Sequence, residues 1–284
     1  MSAYSIERIT MPDGVALEVR RYSGGAKTPA LCIPGLTRNA RDFEDFAPWL
    51  AETGRDVFVV SLRGRNGSDY DPDYLNYHPV TYHRDVLAVL DGLKLARAVF
   101  VGTSLGGLIT MLTNEAAPDR VAAAILNDIG PELDPKGIAR IAGYAGVGPS
   151  DAATIEEAAA QIRAINEVAF PGEEKDFWLT FAKRTYRETP QGGWVLDYDP
   201  AIGKALREVG PAPDLWPAFE SLKSKPTLVV QGAISDLLTA AIIEKMRAVN
   251  SSFEHCAVPN VGHAPTLSEP AAREAIAAFF EKLD

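Results

Sequence analysis

The chain has 284 residues, a length that fits either two domains or one α/β domain with an insertion. Hydrophobic residues make up 46% of it and charged residues 23%, which are globular values and exclude collagen-like, coiled-coil and wholly disordered chains. Its 28 basic and 38 acidic residues give a net charge of −10. Because an acidic surface repels phosphate backbones, we expect no nucleic-acid partner.

No apolar run approaches the ~20 residues that a transmembrane helix needs, and residues 1–10 lack the apolar centre of a signal peptide. We therefore expect a cytoplasmic protein with no membrane partner, while its oligomeric state stays open. The two cysteines, Cys32 and Cys256, lie in apolar strand-like runs, which predicts a pair of buried thiols and no disulfide framework. The four histidines lack the close spacing that metal ligands show.

The first 130 residues alternate between strand and helix patterns. Two strand patterns, 6–10 and 15–22, flank the turn sequence Pro12-Asp13-Gly14, which predicts a hairpin. The alternation that follows predicts a parallel sheet joined by crossover helices. The predicted strands cover 30–33, 56–61, 98–101 and 121–126, and the predicted helices cover 43–50, 86–93 and 105–115.

The alternation stops after residue 130. No core strand is apparent from 131 to 225, where stretches such as 154–168 are rich in Ala and Glu and have high helix propensity. The sequence therefore predicts an α/β core domain, 1–130 and 226–284, with a helical insertion at 131–225. The second part of the core has predicted strands at 226–230 and 253–258 and predicted helices at 240–249 and 269–283.

Residues 102–106, Gly-Thr-Ser-Leu-Gly, follow a predicted core strand and precede a predicted helix. This is the G-x-S-x-G pattern in the context that gives it meaning. Where a strand turns sharply into a helix, small residues on either side let the backbone close, and the serine hydroxyl then points out at the carboxyl edge of the sheet. We predict that Ser104 is a nucleophile. The alternative is that it only caps the helix.

A serine hydroxyl needs a base, and the base needs a carboxylate that fixes its tautomer. His263 lies in the loop after the last predicted strand and is the predicted base, since the other histidines occupy positions typical of structural or surface residues. Two carboxylates stand at strand ends, Asp236 and Asp128. Asp236 gives the chain order Ser, Asp, His expected for this layout and is the preferred acid. Asp128 is the alternative.

A tetrahedral intermediate needs N–H donors aimed at its oxyanion. One donor is predicted to be the backbone N–H of Leu105, directly after the nucleophile. The second is predicted in the loop 34–36, Pro-Gly-Leu, where Gly35 lets the chain pass close to the substrate and Leu36 offers its N–H. The alternative is an ordinary Pro-Gly turn.

These residues together resemble the α/β-hydrolase fold superfamily over nearly the whole chain. The elbow at 102–107 matches the family's nucleophile motif, Asp236 and Gly262-His263 match its acid and base motifs, and residues 34–36 are similar to its oxyanion loop. Residues 63–68, Arg-Gly-Arg-Asn-Gly-Ser, are similar to its R-G-x-G-x-S turn with one altered spacing. The resemblance implies a mostly parallel eight-stranded sheet whose second strand is antiparallel, and it makes the insertion a helical cap. It implies no metal and no organic cofactor.

The resemblance also narrows the chemistry. Haloalkane dehalogenases and epoxide hydrolases of this fold carry aspartate at the elbow, so Ser104 favours acyl chemistry on a small-molecule substrate. We expect hydrolysis of a carboxylic ester, a lactone or a related acyl bond by a Ser-His-Asp triad. Carbon–carbon hydrolases of ring-cleavage products, perhydrolases, acyltransferases and slow or non-catalytic ligand receptors of the same fold remain as alternatives.

Large apolar side chains shape most small-molecule pockets, and the insertion contains several of them. Candidates for lining the pocket are Trp178, Phe181, Tyr186 and Trp194, although these aromatics would equally suit a small core within the cap. Arg38 follows the oxyanion loop, and its guanidinium could bind a substrate carboxylate. A solvated surface arginine is the simpler interpretation of that residue.

Overall fold

The computed structural model describes residues 4–147, 151–208 and 214–283. Seven strands in these ranges form the main sheet, in the spatial order β1-β2-β4-β5-β9-β10 with β3 paired to β2. Pairing is antiparallel where β1 and β3 meet β2 and parallel from β2 through β4, β5, β9 and β10. The strands are β1 Ser5–Thr10, β2 Ala16–Ile33, β3 Arg55–Val60, β4 Ala98–Thr103, β5 Val121–Asn127, β9 Thr227–Gly232 and β10 Glu254–Val258.

The 18-residue strand β2 takes the place of two of the predicted strands. Tyr22, in its first half, pairs with Val57 of β3, and Ala30, in its second half, pairs with the same Val57. Strand β3 therefore lies between the two halves of β2, and the second half continues as the parallel neighbour of β4. The mostly parallel α/β sheet is confirmed. Eight strands were expected and seven are found in the described ranges, because the predicted strands 15–22 and 30–33 are the two halves of the single strand β2.

Helices cover both faces of the sheet. One apolar layer packs α2, α3, α8 and α9 against it, and the other packs α1 and α10. None of the helices in the described ranges combines the length and the apolar composition needed to span a bilayer. Cys32 is buried as expected, whereas Cys256 is only half-buried because β10 lies at the edge of the sheet. These helices are α1 Phe46–Ala51, α2 Pro79–Gly92, α3 Leu105–Ala116, α8 Trp216–Ser221, α9 Ala240–Val249 and α10 Pro270–Glu281.

Among the described residues between β5 and β9, four helices precede α8: α4 Pro135–Tyr144, α5 Ile155–Asn166, α6 Lys175–Thr185 and α7 Ala201–Glu208. It also forms a small antiparallel sheet in the order β6-β8-β7, which the sequence analysis did not anticipate. Strands of two or three residues are too short to show an alternation of apolar and polar residues, so the sequence pattern did not predict them. They are β6 Asp151–Ala152, β7 Tyr186–Glu188 and β8 Trp194–Leu196.

Candidate active site

Ser104 occupies the sharp turn between β4 and α3. Its backbone has φ +53° and ψ −116°, a conformation that costs a non-glycine residue on the order of 1–3 kcal/mol. The Ser104 N–H donates to the carbonyl oxygen of Asn127 at the end of β5, at 2.9 Å. The neighbouring strand thus helps to hold the strained turn in place.

The glycines of the elbow are required by close backbone approach. A Cβ at Gly106 would lie 2.1 Å from the carbonyl oxygen of Ile33, and a Cβ at Gly102 would lie 2.4 Å from the carbonyl carbon of Gly106. Both positions therefore exclude any larger residue. This is the steric reason for the pattern read from the sequence.

His263 lies within hydrogen-bond distance of both other polar groups of the site. Its Nε2 is 2.9 Å from Oγ of Ser104, and its Nδ1 is 2.7 Å from Oδ2 of Asp128. The imidazole side chain is only 8% exposed and the Asp128 carboxylate is fully buried. Hydroxyl, imidazole and carboxylate thus form one continuous hydrogen-bonded path at the carboxyl edge of the sheet.

The Asp128 carboxylate is fixed by two further donors, one from the last residue of β9 and one from the loop that follows it. Gly232 N–H donates to Oδ1 at 2.7 Å, and the Ser235 hydroxyl donates to Oδ2 at 2.6 Å. Ser235 Oγ in turn accepts the N–H groups of Leu237 and Leu238, each at 3.1 Å. A buried carboxylate held on both oxygens presents one orientation to His263. Sequence reasoning missed Ser235 because its partner lies 107 residues away along the chain.

The expectation that Asp236 contacts His263 was wrong. Its carboxylate instead forms a bidentate pair with Arg140 of α4, at 2.6 Å from Nε and 2.7 Å from Nη2. The hydrogen bonds from Arg140 hold the pKa of Asp236 below its usual value. The order along the chain favoured Asp236, but the side chain that reaches the imidazole is the alternative, Asp128.

Comparison with known proteins identifies the family. Residues 30–276 match the family model described as Alpha/beta hydrolase family. The chain belongs to the alpha/beta hydrolase family. A crystal structure of an alpha/beta hydrolase from Novosphingobium aromaticivorans superposes with a TM-score of 0.92 at 41% identity, covering 99% of both chains.

Two curated relatives of this hydrolase are similar over most of its length. A 3-hydroxybutyrate-oligomer hydrolase from Cupriavidus necator is 33% identical over 250 residues, which is 85% of this chain and 84% of the relative. A 2-(acetamidomethylene)succinate hydrolase from Mesorhizobium japonicum is 24% identical over 249 residues, covering 88% of this chain and 85% of the relative.

The loop after β2 brings Gly35 against Ser104. A Cβ at Gly35 would lie 3.7 Å from Cβ of Ser104, and Leu36 lines the same cavity as Ser104. Leu105 is the first residue of α3, and the first N–H groups of a helix have no acceptor in a preceding turn. The two predicted oxyanion donors therefore stand on elements that flank Ser104.

A cavity of about 470 Å³ opens over Ser104 and His263. The cavity is lined by the loops that follow β2, β4 and β10 and by a helical wall from α4, α5 and α6. The helical wall combines apolar and polar side chains, and Phe170, from the segment between α5 and α6, adds to its apolar part. The apolar side chains include Ile141, Ile162, Ile165, Phe177 and Phe181, and the polar ones include Asn166, Asp176, Thr180, Arg184 and Thr185.

Three of the five predicted pocket residues, Arg38, Phe181 and Tyr186, line this cavity. Trp178 and Trp194 were wrongly placed among them. Trp178 is 2% exposed and its ring packs against those of Phe170 and Phe177, while its Nε1–H donates to the Glu173 carbonyl oxygen. Trp194 belongs to β8 and packs against the same apolar layer as Trp178.

Arg38 is not a free surface cation. Its guanidinium binds both carboxylate oxygens of Asp42, at 2.7 and 2.5 Å, donates to Thr185 Oγ1, and stacks 4.2 Å from the centre of the Phe181 ring. A carboxylate already neutralises this arginine. The structure therefore favours a role for Arg38 in joining the loop after β2 to α6.

Proposed function

We propose that this chain is a serine hydrolase that cleaves ester or lactone bonds of small molecules. In this proposal Ser104 is the nucleophile, His263 the general base and Asp128 the carboxylate that orients it. The observation that carries the proposal is the continuous path from Ser104 Oγ through His263 to Asp128, with contacts of 2.9 and 2.7 Å. A histidine bound on both ring nitrogens in this way can take the serine proton while its imidazolium is stabilised.

The chemistry then follows from the positions of these groups. Ser104 Oγ attacks the ester carbonyl carbon as its proton passes to His263 Nε2, and the N–H groups of Leu36 and Leu105 bind the oxyanion. Collapse of the tetrahedral intermediate breaks the ester bond, and His263 protonates the departing alkoxide. Water, deprotonated by the same imidazole, then attacks the acyl-enzyme and releases the acid and Ser104.

The insertion, residues 131–225, acts in this proposal as the cap over the site. Its helices α4, α5 and α6 line the cavity together with the loop 34–36 and contribute apolar side chains to its lining. The cavity volume of about 470 Å³ suits a small molecule, since pockets for such ligands span roughly 300–1,000 Å³. The relative that hydrolyses 3-hydroxybutyrate oligomers makes short oligoesters of hydroxy acids the first substrates to test.

The test is a substrate panel run on purified wild type and Ser104→Ala. The panel contains p-nitrophenyl esters of several chain lengths, the linear dimer and trimer of 3-hydroxybutyrate, a set of lactones and a vinylogous diketone. We expect ester hydrolysis by wild type and background rates for Ser104→Ala, with Ser224→Ala as a control in which an exposed serine is removed. Turnover retained by Ser104→Ala would contradict the nucleophile. Cleavage of the diketone alone would identify a carbon–carbon hydrolase and contradict the ester assignment.

A further inference from the structure

Arg65 is a buried cation whose guanidinium donates only to neutral groups. The residue is completely buried, and its Nε and Nη2 both donate to the carbonyl oxygen of Leu36, at 3.0 and 2.6 Å. Its Nη1 donates to the Arg63 carbonyl oxygen at 2.6 Å and to the Tyr82 hydroxyl at 3.0 Å. Within the ranges that the structure describes, no carboxylate pairs with this guanidinium.

Arg63, two residues earlier and equally buried, has the opposite environment. Its guanidinium pairs with the carboxylates of Asp13, Asp71 and Asp85. A buried charge without such a partner costs free energy, because burial removes the water that would otherwise solvate it. The neutral surroundings of Arg65 give this cost no evident return in stability. We therefore expect its positive charge to act at the site that the guanidinium contacts.

Arg65 contacts the oxyanion loop, residues 34–36, at the carbonyl oxygen of Leu36. The peptide group between Gly35 and Leu36 is fixed because Gly35 O accepts the Arg38 N–H at 3.2 Å, and in a planar trans peptide the Leu36 N–H points the opposite way. The next peptide group is fixed by the two hydrogen bonds from Arg65 to the Leu36 carbonyl oxygen. Both peptide groups that flank the Leu36 Cα are thus held in one orientation.

We propose that Arg65 is a positioning residue for the oxyanion site. It holds the Leu36 N–H in place, and its positive charge, which is not paired with a carboxylate in the described ranges, stabilises the negative charge that develops on the substrate oxygen. The inference rests on the serine-hydrolase function proposed above. The carbonyl oxygen of a bound ester is neutral, whereas the tetrahedral intermediate is anionic. A buried cation that does not touch the substrate therefore acts on the transition state more than on substrate binding.

The experiment compares wild type, Arg65→Met and Arg65→Lys after the wild type has been shown to hydrolyse an ester through Ser104. Methionine keeps most of the volume and removes the charge, whereas lysine keeps the charge and loses the two-pronged contact. We expect Arg65→Met to lower kcat about 10- to 100-fold with KM within about twofold, and Arg65→Lys to lose less. Affinity for a boronic acid, which forms an anionic tetrahedral adduct with the serine, should fall in parallel with kcat.

Arg120→Met is the matched control, because Arg120 also donates to main-chain carbonyls, those of Leu95 and Ala96, at a site outside the cavity lining. Its kcat should stay within about twofold of wild type. If Arg65→Met does not fold, as judged by its melting transition, Arg65→Lys alone decides, through its kcat and boronate affinity relative to wild type.

The inference is overturned if a folded Arg65→Met keeps kcat within threefold of wild type, or if its loss appears in KM with kcat unchanged. It is also overturned if kcat falls as far in Arg65→Lys as in Arg65→Met, because a positive charge at this position would then make no contribution to kcat. In each of these cases wild-type hydrolysis through Ser104 would still stand. Absence of that hydrolysis in wild type would instead remove the proposed function itself.

Discussion

Asp236 is bound by Nε and Nη2 of Arg140, at 2.6 and 2.7 Å, and this pair turns the carboxylate toward α4. The Arg140 and Asp236 side chains are 18% and 14% exposed, so the ion pair is largely shielded from water. It joins α4 to the loop that follows β9. The carboxylate that sequence order favours for catalysis thus links these two elements.

The first prediction concerns which carboxylate supports the histidine. Asp128→Asn should lower kcat for ester hydrolysis by about 10³-fold or more, because an amide carries no negative charge to stabilise the imidazolium. Since Gly232 N–H binds Oδ1, the amide NH2 would face His263 Nδ1 and favour the wrong tautomer. Asp236→Asn should change kcat less than tenfold. Steady-state kinetics at neutral pH measure kcat for the two variants. A larger loss of kcat in Asp236→Asn than in Asp128→Asn would transfer the role to Asp236.

The second prediction concerns stability and pH. Arg140 lowers the pKa of Asp236, so the ionised carboxylate stabilises the fold above its unfolded pKa, and the contribution is lost as pH falls through the lower folded value. Asp236→Asn should therefore melt below wild type at pH 7, and the gap should narrow below about pH 4. Melting temperatures from pH 3 to 8 measure this gap wherever both proteins stay folded.

Asp91→Asn is the control for that series, since Asp91 pairs with Arg120 but is 69% exposed. Exposed pairs contribute little to stability, so its melting temperature should follow wild type throughout. A gap for Asp236→Asn that is absent at pH 7, or one that stays constant to the acid limit of folding, would contradict the prediction.

The third prediction concerns the Ser235 hydroxyl, which donates to the same Asp128 oxygen that faces His263. If the hydroxyl acts through Asp128, Ser235→Ala should lower kcat about 5- to 50-fold in wild type and less than twofold in an Asp128→Asn background. Ser235→Thr keeps the hydroxyl and should retain most of the activity. An equal loss in both backgrounds would show that Ser235 only shapes the turn.

The fourth prediction concerns the elbow. Gly106→Ala places a Cβ 2.1 Å from the Ile33 carbonyl oxygen, so the strand or the helix must shift, and we expect destabilisation of about 3 kcal/mol or more. Gly143→Ala is the matched control because nothing lies within 4 Å of its added Cβ and it stands inside α4. That variant should be neutral or slightly more stable. Chemical unfolding of both measures the difference, and equal stabilities would contradict the close approach.

Local sequence patterns were sufficient to predict most of the fold. The alternation of strands and helices places Ser104 and His263 at strand ends, and the parallel sheet then brings those ends to one edge. The elbow glycines follow the same logic, because close approach leaves room for no other residue. Such features depend on neighbours in sequence or on the regular geometry of a sheet, and both can be read without coordinates.

The choice between Asp128 and Asp236 needed three-dimensional information. Both carboxylates follow parallel strands at the same edge, and only the rotation of each side chain and the presence of Arg140, 96 residues from Asp236, separate them. The contacts of Ser235 with Asp128 and of Arg65 with Leu36 were missed for the same reason. Their partners, an aspartate oxygen and a main-chain carbonyl, are distant in sequence and leave no local pattern.

The most direct measurement is covalent labelling with a fluorophosphonate, which reacts with an activated serine. Wild type should gain the mass of one adduct, and peptide mapping should place that adduct on Ser104. Ser104→Ala should gain none, and His263→Ala should react orders of magnitude more slowly. A folded wild-type protein that stays unlabelled, or an adduct on any other residue, would contradict the proposal that Ser104, His263 and Asp128 form a working nucleophilic site.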